Sequence, residues 1–142
     1  MEYKWLGKEY LAIKLNPGEE LISSIKAIAE KENITSAMIQ GLGAVNDITL
    51  ETYRVAEQQY FENHMTGNFE ITSISGTIDS YEGGYYSHFH ITVADEDGHA
   101  WGGHLKKGII SVTAELILTI LPDEIERKHD DTVNLNFWSF KE

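Results

Sequence analysis

The chain has 142 residues, a length typical of one compact domain. It contains no cysteine, which excludes disulfides and thiolate metal sites, so a metal ion would need histidine or carboxylate ligands. Lys and Arg total 11 against 23 Asp and Glu, and the resulting formal charge of −12 disfavours direct binding to a nucleic-acid backbone.

The chain begins with MEYKWLGKEY, which lacks the basic start and the apolar core of a signal peptide. No apolar run approaches the roughly 18 residues that suggest a membrane span. We therefore expect a cytoplasmic protein without a membrane partner.

An alternating strand over residues 8–15 precedes the clearest helical signal, which lies in residues 16–34. Asn16 is predicted to cap this helix, and Pro17 suits its first position. Asn33 can adopt the left-handed conformation that ends a helix. The apolar stripe that would pack on a sheet consists of Leu21, Ile22, Ile25, Ile28 and Ala29.

The remaining apolar segments predict strands of a largely antiparallel sheet, so the fold class is α+β with one main helix packed on the sheet. Residues 41–47 (GLGAVND) are predicted to be a turn, and close backbone packing is the other interpretation of their glycines. The whole chain, 1–142, is predicted to be a single domain with its core at about 8–121. Residues 122–142 form a C-terminal extension that is either an added edge strand or a segment docking on a neighbour. The predicted strands after the helix are residues 35–40, 48–55, 67–80, a hairpin over 85–105, and 109–121.

The register of the hairpin decides whether the histidines of HFHITVADEDGHAWGGHL, residues 88–105, converge. A two-residue loop would place His104 on the opposite face from His88 and His90. A three-residue loop with Gly98 in a left-handed bulge instead pairs His90 with His104 and leaves His88 diagonal to His104. The second register is favoured because it also gathers an apolar face, on which Val93 pairs with Trp101, Ile91 with Gly103 and Phe89 with Leu105.

The favoured register predicts a metal site on His88, His90 and His104. Side chains directly opposed in a sheet have Cβ atoms about 4.5–5.5 Å apart, so three imidazoles can converge on one ion at about 2.0–2.1 Å. Gly102 is expected to leave open space beside them. Neutral imidazoles without thiolates suit Zn²⁺ best, with Ni²⁺, Cu²⁺ or Fe²⁺ as alternatives. A solvent-facing strand with three unrelated histidines is the other interpretation.

Three protein ligands would leave the fourth zinc position open for water or a small ligand. A metal-dependent hydrolytic enzyme would also need a general base, for which Glu70 and Glu115 are the candidates because each lies in a strand beside apolar neighbours. For both glutamates an exposed strand face is the equally favoured interpretation. A third hypothesis is an assembly or ligand-sensing module in which the metal is structural. The remaining histidines, predicted to be solvated, are His64, His99 and His129.

These residues resemble the plant-and-prokaryote conserved domain family, called PPC or PCC, over about residues 8–121. The resemblance rests on PGEELISSIKAIAEKENITSAMIQGLGAV, GNFEITSISGTI, HFHITVADEDGHAWGGHL and TAELIL. It implies an α+β homotrimer, names DNA as a partner, and in some prokaryotic members implies a metal on the positions of His88, His90 and His104. The sequence has no Arg-Gly-Arg-Pro hook, and Asn68 stands where the plant motif has arginine. Both differences weaken the expectation of direct DNA binding and leave the metal site unchanged.

Overall fold

The computed structural model describes residues 1–140, which form one helix and eight strands. All strand pairs are antiparallel except that between β4 and β7. The predicted combination of one helix with a large, mostly antiparallel sheet is therefore confirmed. Within residues 1–140, no helix is long and apolar enough to cross a membrane. The elements are β1 (Glu2–Leu6), β2 (Tyr10–Leu15), α1 (Leu21–Lys31), β3 (Ala37–Arg54), β4 (Gln59–Tyr81), β5 (Gly84–Ala94), β6 (Ala100–Ile120), β7 (Glu126–Asp130) and β8 (Leu135–Trp138).

Four strands close on one another at the centre of the sheet. β3 pairs with β4 and β6, and β5 pairs with the other sides of the same two strands. β2 and β1 extend the sheet from β6, while β7 and β8 extend it from β4. The closure places Glu51, His104, His90 and Ser75 in one row, because each is the direct cross-strand partner of the next.

The hydrophobic core lies between α1 and the inner face of the sheet. Leu21, Ile25, Ile28 and Ala29 of the predicted stripe are buried, and Ile22 packs at the edge of the core. From the central strands the core receives Leu50, Ile74, Phe89, Ile91, Val93 and Leu105. Fully burying side chains of this size contributes about 1.5–3 kcal/mol each. Since side chains alternate along a strand, the histidines that flank Phe89 lie on the outer face.

The helix begins later than predicted, and Glu20 rather than Asn16 is its cap. The Glu20 carboxylate accepts hydrogen bonds from two backbone N–H groups of the first turn, at 3.1 and 2.7 Å. The segment before it exchanges backbone hydrogen bonds with Ile110 of β6, which keeps that segment out of the helix. At the other end, Asn33 has the predicted left-handed conformation, with φ of 55°.

The prediction of a turn at residues 41–47 is wrong, because this segment lies inside β3. A Cβ atom on Gly41 would lie 2.5 Å from the carbonyl oxygen of Glu115, and one on Gly43 would lie 2.3 Å from that of Thr113. The β6 backbone approaches so closely here that only glycine fits. Close backbone packing, the other interpretation of these glycines, is therefore the correct one. Register shifts at the same glycines bend the long strand.

A bulge in β4 breaks the alternation predicted for residues 67–80. Ile71 and Ile74 are both buried although a regular strand would place them on opposite faces. The pairing of β4 with β5 shifts register between Ile71 and Ser73, so one additional residue turns the strand and returns Ile74 to the core.

The described part of the C-terminal extension forms a hairpin along the edge of β4. Its first strand, β7, pairs in parallel with β4. Arg127 of β7 is 6% exposed, and its guanidinium donates to the carboxylate of Asp79. Trp138 of β8 donates from its indole N–H to the same carboxylate at 2.9 Å. Of the two predicted alternatives for the extension, residues 122–140 thus show the added sheet edge.

Candidate metal centre

The loop between β5 and β6 has the predicted three-residue form. Gly98 has φ of 81°, and its N–H donates to the carbonyl of Asp95 at 3.0 Å. With this loop His90 is the direct partner of His104, and Thr92 is the partner of Gly102. The predicted register is confirmed.

His88, His90 and His104 converge on the outer face of the central strands. Each offers one ring nitrogen, and the three nitrogens lie within 4.8 Å of one another. The Nε2 atoms of His88 and His90 are 3.1 Å apart. Two nitrogens that bind one tetrahedral ion at 2.0–2.1 Å lie about 3.4 Å apart. Small side-chain movements are therefore sufficient for the cluster to surround one ion.

Two of the three rings are held in their neutral form. Burial lowers the pKa of His88 to about 4, and the neighbouring His104 and His90 act in the same direction. Burial also lowers the pKa of His104, with His90 as the second cause. Because a metal binds only the neutral imidazole, these two rings are ligands that need not lose a proton at neutral pH.

The surroundings of one ring nitrogen of His104 show that the cluster fits a metal. Its Nδ1 is buried and has no hydrogen-bond partner among the described residues. Buried polar atoms nearly always have a partner, and a metal ion is a partner that a ring nitrogen can take. The unpartnered atom and the set of three imidazoles both fit a divalent transition metal.

The end of the β3–β4 hairpin forms one wall of the site. The ring of Tyr60 lies 5.1 Å from that of His104, between centroids. Oε2 of Glu51 lies 3.9 Å from Nε2 of the same histidine. The hydroxyl of Tyr53 donates to the carbonyl of Val133, so the C-terminal hairpin also contacts this wall. The site is thus built from two pairs of consecutive strands, β3 with β4 and β5 with β6.

Neither predicted general base lies at the cluster. Glu115 is exposed in the far half of β6, where that strand pairs with β2. Glu70 is exposed in β4, beside the loop end of β5. The carboxylate beside His104 is instead that of Glu51, which the sequence reasoning missed because only the pairing of β3 with β6 brings the two residues together. That pairing contains three register shifts, so the alternation of the two strands alone does not reveal it.

The prediction of open space at Gly102 is wrong. A Cβ atom on Gly102 would lie 3.1 Å from Oγ1 of Thr92, so this glycine does not leave open space beside the histidines. Trp101 is the direct cross-strand partner of Val93, as predicted, and its side chain is 47% exposed. Gly103 is the glycine that permits the close approach of β3, since a Cβ atom added to it would lie 2.9 Å from the carbonyl oxygen of Glu51. His64, His99 and His129 are exposed, as predicted.

Comparison with known proteins gives one family and several relatives. A family model described as the Plants and Prokaryotes Conserved (PCC) domain matches residues 6–122. The bifunctional protein GlmU of Synechococcus sp. strain JA-2-3B'a(2-13) is 32% identical over 114 residues, which are 78% of this chain and 17% of that protein. The chain thus spans less than a fifth of the length of the two GlmU relatives that it matches, 17% and 16%.

Solved structures share the fold of this chain. A protein from Bacteroides thetaiotaomicron, provisionally named a DNA-binding protein, has a TM-score of 0.94 at 27% identity, with 98% of this chain and 96% of that chain covered. A metal-containing protein from Archaeoglobus fulgidus has a TM-score of 0.85 at 22% identity, with 99% of each chain covered. The latter likeness establishes the fold alone.

Proposed function

Since this chain belongs to the Plants and Prokaryotes Conserved (PCC) domain family, we propose that it is a metal-binding member that holds one zinc ion on His88, His90 and His104. The observation that carries the proposal is the convergence of three ring nitrogens within 4.8 Å. The metal-containing protein from Archaeoglobus fulgidus, which shares the fold, also supports it. The direct test is titration of the metal-free protein with zinc against a chromophoric chelator. One equivalent bound per chain supports the site, and failure to compete with the chelator contradicts it.

Zinc is the proposed metal because the donors are three imidazoles and the chain has no cysteine. With three protein ligands, zinc keeps a fourth position that acts as a Lewis acid toward an oxygen or nitrogen donor. His90 is exposed, so the cluster is accessible from solvent on that side. The position is therefore assigned to a small ligand. Neither Glu70 nor Glu115 lies beside this position, and Glu51 is the carboxylate that faces His104.

The proposal includes a homotrimer, supported by an apolar patch on the outer face of β3 and β6. Met38, Leu42 and Ile117 are 53%, 54% and 37% exposed, and Ile117 pairs with the residue midway between the other two. Contiguous exposed apolar side chains of this kind mark interaction surfaces. Further copies of the chain are the assigned partners. Light scattering of the purified protein should give about three times the 16.1 kDa mass of one chain.

DNA binding is the second candidate function, favoured by the provisional name of the Bacteroides thetaiotaomicron protein. The net charge of −12 opposes it. Near the site, Lys106 is paired with Glu51 and Glu62, and Lys107 with Asp47. Binding to the phosphate backbone depends on cations that displace counterions. We expect no change in the fluorescence anisotropy of labelled duplex DNA even at low salt. Binding that weakens steeply with added salt would instead support the DNA candidate.

A further inference from the structure

Glu51 and His104 face each other from neighbouring strands. They are direct partners in the pairing of β3 with β6, and Oε2 of Glu51 lies 3.9 Å from Nε2 of His104. The Glu51 side chain is only 12% exposed. On its other side, Nζ of Lys106 lies 3.2 Å from Oε1. The carboxylate is thus held in place between a cation and an imidazole.

The two ring nitrogens of His104 have different surroundings. Nε2 faces the Glu51 carboxylate. Nδ1 is buried and has no hydrogen-bond partner among residues 1–140. A neutral imidazole carries one proton, and an ionised carboxylate can only accept a hydrogen bond. The carboxylate therefore favours the tautomer with the proton on Nε2, which leaves the lone pair on Nδ1.

We propose that Glu51 is a positioning residue, which accepts a hydrogen bond from Nε2–H of His104 and so presents Nδ1 to the metal. This inference rests on the proposed zinc site and adds the group that orients one of its ligands. Partners of this kind, bound to the second nitrogen of a metal-binding histidine, typically change metal affinity about 10–100-fold. The 3.9 Å separation exceeds the 2.7–3.2 Å of an N–H···O bond, so a carboxylate movement of about 1 Å completes the contact.

The opposite assignment, with Nε2 of His104 on the metal, has a distinct consequence. Nδ1 would then carry the proton and be a buried donor with no acceptor among the described residues. Unpaired donors of this kind are rare in folded proteins. Glu51 would also lie beside the ion, as a fourth ligand or as a base. The two assignments therefore differ in which nitrogen of His104 binds zinc, and this difference can be measured.

The first test is zinc affinity in the full chain, measured by chelator competition. Glu51→Ala is expected to bind zinc about 10–100-fold more weakly than the wild type, and Glu51→Gln, which keeps the side-chain shape, to lie between them. Glu62→Ala is the matched control, because Glu62 is the other carboxylate that contacts Lys106 and is 50% exposed. Its affinity should equal that of the wild type. Wild-type affinity in Glu51→Ala overturns the inference.

The second test uses ¹⁵N chemical shifts of the His104 ring, which distinguish protonated, free and zinc-bound nitrogens. In the metal-free wild type we expect the proton on Nε2, and in Glu51→Ala a mixture of tautomers. On addition of zinc, the shift of Nδ1 should change to that of a bound nitrogen. Zinc on Nε2 of His104 contradicts the inference while leaving the metal site intact. A wild-type protein that binds no zinc contradicts the proposed function, and the tautomer of the metal-free ring then still tests the contact with Glu51.

Discussion

Arg127 donates two hydrogen bonds from its guanidinium to the carboxylate of Asp79, at 2.7 and 2.9 Å. The two side chains are 5% and 0% exposed. The guanidinium also lies 4.7 Å from the ring centroid of Tyr86. Residue 127 is outside the segment that the family model matches, whereas residue 79 is inside it. The pair therefore joins the C-terminal hairpin to the segment that the family model matches.

Arg127→Met should destabilise the protein by about 3–5 kcal/mol, because it leaves the buried carboxylate of Asp79 without its counter-charge. The free energy of unfolding in urea measures the effect. Lys128→Met is the control, since Lys128 is the exposed neighbour on the same strand and its loss should change stability by less than about 0.5 kcal/mol. Equal stabilities for the two variants would show that the ion pair does not hold the hairpin.

Gly76→Ala should be more destabilising than Gly83→Ala. Both residues have positive φ, 146° and 75°, so each substitution carries a backbone cost of about 1–3 kcal/mol. Only at Gly76 does the added Cβ atom overlap the neighbouring strand, at 2.0 Å from the carbonyl oxygen of His88. This overlap should add about 1–3 kcal/mol.

The same comparison reports on the site, because the overlap would displace the β5 backbone at His88. Zinc affinity should fall in Gly76→Ala and remain at the wild-type value in Gly83→Ala. The close approach of β4 and β5 would be disproved by equal unfolding free energies and equal zinc affinities in the two variants.

Glu32 makes the attachment of β1 to the end of α1 dependent on pH. Its carboxylate accepts hydrogen bonds from Tyr3 at 2.7 Å and Trp5 at 2.8 Å. The bond from Trp5, followed by that from Tyr3, lowers the pKa of Glu32 below its ordinary value of 4.5. The unfolded chain therefore takes up this proton at a higher pH than the native protein does. The stabilisation is complete above pH 4.5 and is lost as the pH falls through the lowered pKa.

Urea unfolding of the wild type and of Glu32→Gln between pH 7 and pH 3 measures this effect. The stability difference between the two proteins should be constant near neutrality and shrink in acid. The same substitution at Glu57, in the exposed β3–β4 loop, is the control and should produce no such convergence. A stability difference for Glu32→Gln that is independent of pH would contradict the role assigned to the carboxylate.

Leu42→Asp should dissociate the proposed trimer, because it places a charge in the apolar patch on β3 and β6. Val55→Asp is the matched control, since Val55 is 67% exposed in the β3–β4 loop and Leu42 is 54% exposed in the sheet. Light scattering should give the 16.1 kDa mass for Leu42→Asp and about three times that value for Val55→Asp and the wild type. A wild type with the mass of one chain would contradict the proposed trimer. A Leu42→Asp variant with the full trimer mass would show that the apolar patch is not the interface.

The features predicted correctly are those that neighbouring residues determine. The register of β5 on β6 follows from Gly98 and from the apolar face of the hairpin, so His88, His90 and His104 could be placed together without a structure. The buried apolar stripe of α1 also follows from the spacing of neighbouring residues alone. The helix start is an exception, because backbone hydrogen bonds with Ile110 replace the first turn.

The features that were missed depend on strands far apart in sequence. Gly41 and Gly43 have the same local signature whether the chain turns or another backbone approaches, and only the pairing with β6 distinguishes the two. Glu51 looks like any glutamate of an alternating strand until β3 is paired with β6. The sequence therefore predicts the ligands of the candidate site, but not the residues that surround them.

The metal content of protein purified without a histidine tag determines whether His88, His90 and His104 bind a metal. Elemental analysis should find about one zinc ion per chain in the wild type and almost none in His104→Ala. His64→Ala is the matched control and should retain its zinc, because His64 is an exposed histidine of β4 outside the cluster. A wild-type protein that is metal-free and takes up no added zinc, or a His104→Ala variant with full zinc content, would contradict the account.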